Sequence, residues 1–179
     1  TLILVPKKDL AGQTKEKLVD VVGFSPKDIG VIHSDVTEAE RAQALQSKVL
    51  ITTYDSFRTL MKNGSVRSNE FPYVVLDEVH HAGGEETCPL VKEILRQGAV
   101  VQGWTATDIF ADGGNISDLL FNGAPPIDQQ YFYECVKQGD LAPTRNIILQ
   151  TEFASGIIPT GKGGDFTEQE AVAIAKQKG

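Results

Sequence analysis

Two adjacent carboxylates, Asp77 and Glu78, close the apolar run Tyr73-Val74-Val75-Leu76. In an open α/β sheet, ligands collect at the carboxyl ends of the strands, so an acid pair there faces a binding crevice. A carboxylate in that place can hold Mg²⁺, usually through water, which is the role assigned to Asp77. The carboxylate beside it can accept a proton from, or orient, a water that attacks a terminal phosphate, which is the role assigned to Glu78. His80 follows two residues later, within hydrogen-bonding reach of a neighbouring strand's loop. The competing reading is that a strand simply ends in charged, solvated residues.

The elements that must position these groups show as short apolar runs separated by helical patterns. Thr1–Val5, Gly30–His33, Val49–Thr53, Tyr73–Asp77, Val100–Thr105 and Asn146–Thr151 are continuous rather than alternating, which suits strands buried on both faces of a parallel sheet. Helices are expected between them. Asp9–Val22 carries apolar spacing through Leu10, Leu18, Val21 and Val22, and Thr37–Gln46 opens with Thr37 and Glu40 at capping-box spacing. Asp55–Asn63 and Cys88–Gln97 complete this set. Strand–helix alternation of this kind predicts a three-layer αβα domain with right-handed crossovers. Further on, a short helix is expected near Ile116–Phe121, another over Phe132–Gln138 ending at Gly139, and a last one over Glu168–Lys178 behind the Thr167/Glu170 box.

The 179 residues suffice for one full-sized core, and 41% hydrophobic with 23% charged content is ordinary for a globular chain. No apolar stretch reaches the roughly 18–20 residues that span a bilayer, so no membrane partner is expected. Seventeen basic against twenty-four acidic residues give a net charge of −7, which argues against non-specific coating of nucleic acid. It leaves room for a few local phosphate contacts on one edge. Cys88 and Cys135 lack metal-ligand spacing, so no zinc is expected, and two reduced thiols suit a cytoplasmic protein. The opening Thr-Leu-Ile-Leu-Val-Pro lacks the marks of a signal peptide and reads as a strand already under way, as if the N-terminus were cut.

Asp77-Glu78-Val79-His80 resembles motif II of the DEAD/DEAH-type superfamily 2 helicases. Leu2-Ile3-Leu4-Val5-Pro6-Lys7-Lys8-Asp9-Leu10-Ala11-Gly12-Gln13 is similar to motif Ia, Leu50-Ile51-Thr52-Thr53-Tyr54-Asp55-Ser56-Phe57 to motif Ib, and Gly103-Trp104-Thr105-Ala106-Thr107 to motif III. All four stand in the family's order. Tyr133-Glu134-Cys135-Val136-Lys137-Gln138-Gly139-Asp140-Leu141-Ala142-Pro143 resembles a segment of the restriction-helicase branch. The resemblance implies a RecA-like, P-loop-NTPase-type first motor domain over residues 1–153, with 154–179 leading toward a second motor domain. It implies ATP and Mg²⁺ as cofactors, with Asp77, Glu78 and His80 catalytic. Pro6, Lys7, Lys8 and Thr53 would meet the nucleic-acid backbone, DNA being favoured over RNA. Thr105 and Thr107 would couple the ATP site to nucleic acid, with His80 as partner. Without the motif context, Lys7 and Lys8 read as a solvated pair, and the two threonines as makers of local turn bonds.

Departures from the family pattern bound the expectation. The phosphate-binding loop Gly-x-x-x-x-Gly-Lys-Ser/Thr should precede motif Ia, and the sequence begins at motif Ia. Gly156-Ile157-Ile158-Pro159-Thr160-Gly161-Lys162-Gly163 nearly spells the loop, but Gly163 replaces the hydroxyl and the order is wrong, so an interdomain connection is expected there. Asp108 stands where relatives often have Pro, and no nucleic-acid role is carried over to it. The expectation is a helicase or translocase fragment whose parent couples ATP hydrolysis to movement on nucleic acid, the chain alone being inactive. The alternative is a degenerate motor domain serving as a scaffold or nucleic-acid clamp.

Overall fold

The computed structural model describes residues 1–110 and 113–142, and the chain divides into two compact units, Thr1–Pro125 and Pro126–Gly179. In the first unit, five strands form one sheet: β1 (Leu2–Val5), β2 (Ile29–Ile32), β3 (Val49–Thr53), β4 (Tyr73–Leu76) and β5 (Val100–Gly103). Their order is β2-β3-β1-β4-β5, and every pairing is parallel. The helices are α1 (Lys8–Asp20), α2 (Glu38–Ala44), α3 (Tyr54–Lys62), α4 (Cys88–Arg96) and α5 (Ile116–Leu120), with α6 (Phe132–Gln138) in the second unit. This is the α/β, mostly parallel architecture that the alternating pattern predicts.

The apolar runs become strands because both faces are covered. Leu2, Leu4, Leu50, Val74 and Leu76 lie in one core cluster, and Ile3, Val5, Ile51 and Val49 in another with Ala11 and Ile29. Phe57, Leu60, Val91 and Ile94 press α3 and α4 onto the first cluster at three-residue spacing. The strand expected from Val100 forms as β5, but without burial on both faces: Val100 is 63% exposed and the burial pattern is that of a sheet margin. Among the described residues no strand pairs with its outer side.

Helix boundaries follow local chemistry. Thr37 caps α2 through a full capping box: its hydroxyl accepts from the Glu40 amide while the Glu40 carboxylate accepts from the Thr37 amide at 2.8 Å. The Thr37 amide, and then the Thr37 hydroxyl donating to the same oxygen at 2.8 Å, hold the Glu40 carboxyl below its ordinary value. Thr53 caps α3 by accepting from the Ser56 amide. α1 ends at Asp20, short of the expected Val22, and Val21 and Val22 are 73% and 60% exposed. Its seating residue is Ala11, with Leu10 and Leu18 half-buried, so the two valines belong to a turn rather than to the packed stripe. α6 ends where Gly139 takes a left-handed conformation at φ 86°. The strand expected over 146–151, the near-match loop 156–163, the 153/154 boundary and the final helix all lie outside the described residues.

α2 lies so close to β2 that a Cβ on Gly30 would stand 2.4 Å from the Ala44 carbonyl oxygen and 2.7 Å from its Cα. Both neighbours are backbone atoms, which cannot swing aside. Gly30→Ala should therefore destabilise the chain by about 1–3 kcal/mol through overpacking. Thr37→Ala should cost about 1 kcal/mol through loss of the cap. In urea denaturation both variants should lower the midpoint without changing the slope.

Candidate functional site

Parallel strands place all their carboxyl ends on one edge of the sheet. Register sets the levels there: Val5 pairs with Thr53 and Leu4 with Leu76. Asp77 therefore emerges level with Val5 and Thr53, and Pro6 and Lys7 continue from the strand between them. The acid pair, the motif Ia turn and the α3 cap form a row about 4.8 Å apart per strand. Thr105 joins that row from β5, next to β4.

The chain turns sharply after β4. The Asp77 amide donates to the Leu4 carbonyl at 2.9 Å, which extends the ladder by one residue. Glu78 then adopts a left-handed conformation at φ 47°, one of two non-glycine residues to do so among those described. That conformation costs about 1–2 kcal/mol for an L residue with a Cβ. It breaks the strand and swings Val79–Gly83 into a 3₁₀ turn. The expected strand end at Asp77 and the observed end at Leu76 differ for this reason.

Three hydrogen bonds hold the turn in place. The Val79 amide donates to the Trp104 carbonyl at 2.8 Å, and the Trp104 amide donates to the Leu76 carbonyl at 2.9 Å. The Tyr54 hydroxyl, from the first residue of α3, donates to the Asp77 carbonyl at 2.8 Å. Burial first, and then the facing Asp77 and Glu78 carboxylates, push the Tyr54 phenol well above its ordinary range. It stays protonated and remains a donor. Sequence reasoning missed Tyr54, because its partner is 23 residues away and nothing local marks it.

His80, Glu78, Thr105 and Thr107 meet. His80 Nδ1 lies 2.9 Å from Thr105 Oγ1, 3.4 Å from Thr107 Oγ1 and 3.4 Å from Glu78 Oε2. Thr105 Oγ1 is also 3.4 Å from Glu78 Oε2, 2.9 Å from the Thr107 carbonyl and 3.1 Å from the Thr107 amide, which donates to it. The threonines make local turn bonds, and Thr105 also reaches His80 and Glu78 across the turn. The His81 ring packs 4.4 Å from that of His80 and 6.0 Å from Tyr54. Burial and then His80 hold the His81 imidazole below its ordinary value, against the opposing pull of Glu78 and Asp55. A neutral ring offers hydrogen bonds, not charge.

The remaining site residues separate into free and engaged. Lys7 is exposed at the N-cap of α1 and makes no ion pair among the described residues. Lys8 is engaged: its ammonium lies 2.6 Å from Asp35 on the loop after β2. The hydrogen bond between them raises Lys8 and lowers Asp35, which the Ser34 hydroxyl lowers further. Pro6 is half-buried in the β1–α1 turn. The Thr53 hydroxyl serves its helix, donating to Ser56 Oγ at 3.0 Å.

Asp77 is half-buried, with Oδ1 accepting from the Glu78 amide at 3.1 Å. Its second oxygen makes no hydrogen bond among the described residues. One hard oxygen free at a strand end fits an Mg²⁺ whose other ligands are water and phosphate. Among the described residues no group of three or more His, Cys, Asp or Glu side chains is placed to cage a metal.

A family model described as type III restriction enzyme, res subunit, matches residues 1–109, more than half of the chain. No curated protein matches it. Among solved structures, the helicase domain of Hef from Pyrococcus furiosus is 23% identical with a TM-score of 0.59, over 68% of this chain and 26% of that one. A hypothetical ATP-dependent RNA helicase from Sulfolobus tokodaii is 17% identical with a TM-score of 0.54, over 68% of this chain and 37% of that one. The DUF1998 helicase MrfA, solved bound to DNA, is 22% identical with a TM-score of 0.51, over 68% of this chain and 19% of that one. The chain thus spans about a quarter of the length of the solved Pyrococcus helicase domain. At these identities the likeness establishes the fold alone, a RecA-like α/β domain. With the family model matching residues 1–109, the chain belongs to the family of the type III restriction enzyme res subunit.

Proposed function

We propose that this chain forms much of the first motor domain of an ATP-dependent helicase or translocase acting on nucleic acid. One observation carries the reading: at the carboxyl end of β4, Glu78 Oε2 and Thr105 Oγ1 both lie within 3.4 Å of His80 Nδ1, beside an Asp77 with a free carboxylate oxygen. Asp77 is the residue to hold Mg²⁺ through water, and Mg²⁺ bound with ATP supplies charge neutralisation at the phosphates. Glu78 orients the attacking water and accepts its proton. His80 and Thr105 fix the Glu78 carboxylate and tie it to the segment that follows β5.

Nucleic acid would lie along the same strand-end row, on Lys7 and the amino ends of α1 and α3. Among the described residues Lys7 has no ion pair there, whereas Lys8 is paired with Asp35. Contacts to phosphate carry no base information, so binding is independent of sequence. DNA is the favoured substrate. The family description names a restriction enzyme and MrfA was solved with DNA, although the Sulfolobus protein is named for RNA. A second RecA-like domain of the parent chain would complete the ATP cleft. Two unbridged cysteines accord with a cytoplasmic location.

The purified 179-residue chain should release no phosphate from ATP above the blank. A longer parent chain should turn over ATP in a phosphate-release assay. Glu78→Gln should cut that rate by about 10²–10⁴-fold while leaving nucleotide binding intact. Turnover by the short chain that Glu78→Gln abolishes would sink the fragment reading, and a longer chain that binds nucleic acid without turnover would point to a scaffold. In fluorescence anisotropy, Lys7→Ala should weaken binding by a similar factor on unrelated DNA sequences and reduce the salt slope by about one. Lys8→Ala should do less, and equal effects from the two would contradict the assignment of Lys7 as the phosphate contact.

A further inference from the structure

The 3₁₀ turn that carries His80 is gripped at both ends by the chain that follows β5. At its start, the Val79 side chain packs on Gly103, where an added Cβ would stand 3.0 Å from Val79 Cβ. At its finish, a Cβ on Gly83 would stand 2.6 Å from Phe110 Cζ, 3.1 Å from Phe110 Cε1 and 3.3 Å from Leu119 Cδ2. Gly83 does not have a positive φ. Its backbone therefore tolerates any L residue, and what keeps it bare is the approach of the Phe110 ring.

Phe110 is itself fixed. Its amide donates to the Gly114 carbonyl at 2.7 Å and its carbonyl accepts from Gly113 at 2.9 Å, closing a small loop pinned by the Ile109–Asn115 bridge. The Ile116 amide donates to the Asp108 carbonyl, and Ile116 and Leu120 anchor α5 in the core. Residues 103–110 thus run from the Val79 contact, past Thr105 and Thr107, to the Gly83 contact. His80 lies between the two grips, and its hydrogen-bond partners come from the same strip of chain.

We infer that Phe110 is a positioning residue: seated on Gly83, it holds the Val79–Gly83 turn so that His80 stays on Thr105. The role rests on the proposed reading of the acid turn as nucleotide-site machinery. Val79 fixes the near end of the turn, and at the far end the Phe110 ring on Gly83 joins the buried Ala82. With Phe110 removed, the far end can rotate about the Glu78 bend and His80 loses its fixed separation from Thr105.

The test uses the imidazole ¹⁵N and ¹H signals of this chain. It has three histidines, so His80 is assigned by comparison with His80→Gln. Thr105→Val supplies the reference for a His80 that has lost its partner. Phe110→Ala and Gly83→Ala should each move the His80 Nδ1 signal toward the Thr105→Val position. Adding Phe110→Leu to Gly83→Ala should bring it back, because a leucine lacks the two ring atoms that the new methyl would strike. Val66→Ala makes a cavity beside Thr1 and Phe71, at the amino ends of the strands, and should leave His80 unmoved. His80 signals unchanged in folded Phe110→Ala, or displaced as far by Val66→Ala, would overturn the inference. Phe110 is only half-buried, so Phe110→Ala decides the matter even if Gly83→Ala does not fold. The readout needs no turnover: an inactive parent chain would refute the motor function with the clamp intact, and a silent His80 signal would refute the clamp with the function intact.

Discussion

β1 is hydrogen-bonded along both sides, to β3 and to β4, and each site group takes its place from that double pairing. A parallel strand between two parallel neighbours leaves no freedom of level: once Val5 faces Thr53 and Leu4 faces Leu76, the residues after all three strands must leave the sheet at one height. Lys7, Tyr54 and Asp77 are neighbours because of this register, not because of anything in their own side chains. A one-residue slip of β1 would exchange the side chains that its two faces present and move Lys7 out of level with Asp77 and Tyr54.

On this frame, the site is made by interrupting the regular pattern. The ladder continues one bond past β4 to the Asp77 amide and then stops, because Glu78 takes a conformation that no strand contains. The cost of that bend is offset by what surrounds it: the Tyr54 hydroxyl on the Asp77 carbonyl, the Asp77 carboxylate on the Glu78 amide, and the Val79 amide on Trp104. Strained residues persist where neighbours over-determine them, and this one is held on three sides.

Much of the fold was legible in the sequence because strands buried on both faces read as apolar runs, and caps such as Thr37/Glu40 depend on residues three apart. Motif resemblance named the candidate residues and the meeting of His80 with Thr105 and Thr107, while the rest of the wiring was not legible. Tyr54 reaches Asp77 across β1, Lys8 is taken by Asp35 from a separate loop, and Gly83 is bare on account of Phe110, 27 positions further on. Each pairing is a tertiary event with no local signature. The exposure of Val100 was equally hidden: an apolar run looks the same at the middle and at the margin of a sheet. Val21 and Val22 misled for a related reason, since helical spacing continued past the residue where the helix stops.

The Thr105 hydroxyl has one proton to give, and three acceptors stand around it: His80 Nδ1, the Thr107 carbonyl and Glu78 Oε2. If Nδ1 is bare, it takes that proton, and Glu78 gets nothing from the threonine. If Nδ1 carries hydrogen, the polarity reverses: the ring donates to Thr105, whose own proton is released toward Glu78 or the Thr107 carbonyl. Four groups thus admit two opposite senses of hydrogen-bond flow, told apart by the position of a single hydrogen. The tautomer of one histidine therefore decides whether the threonine proton is available to the acid meant to accept a proton.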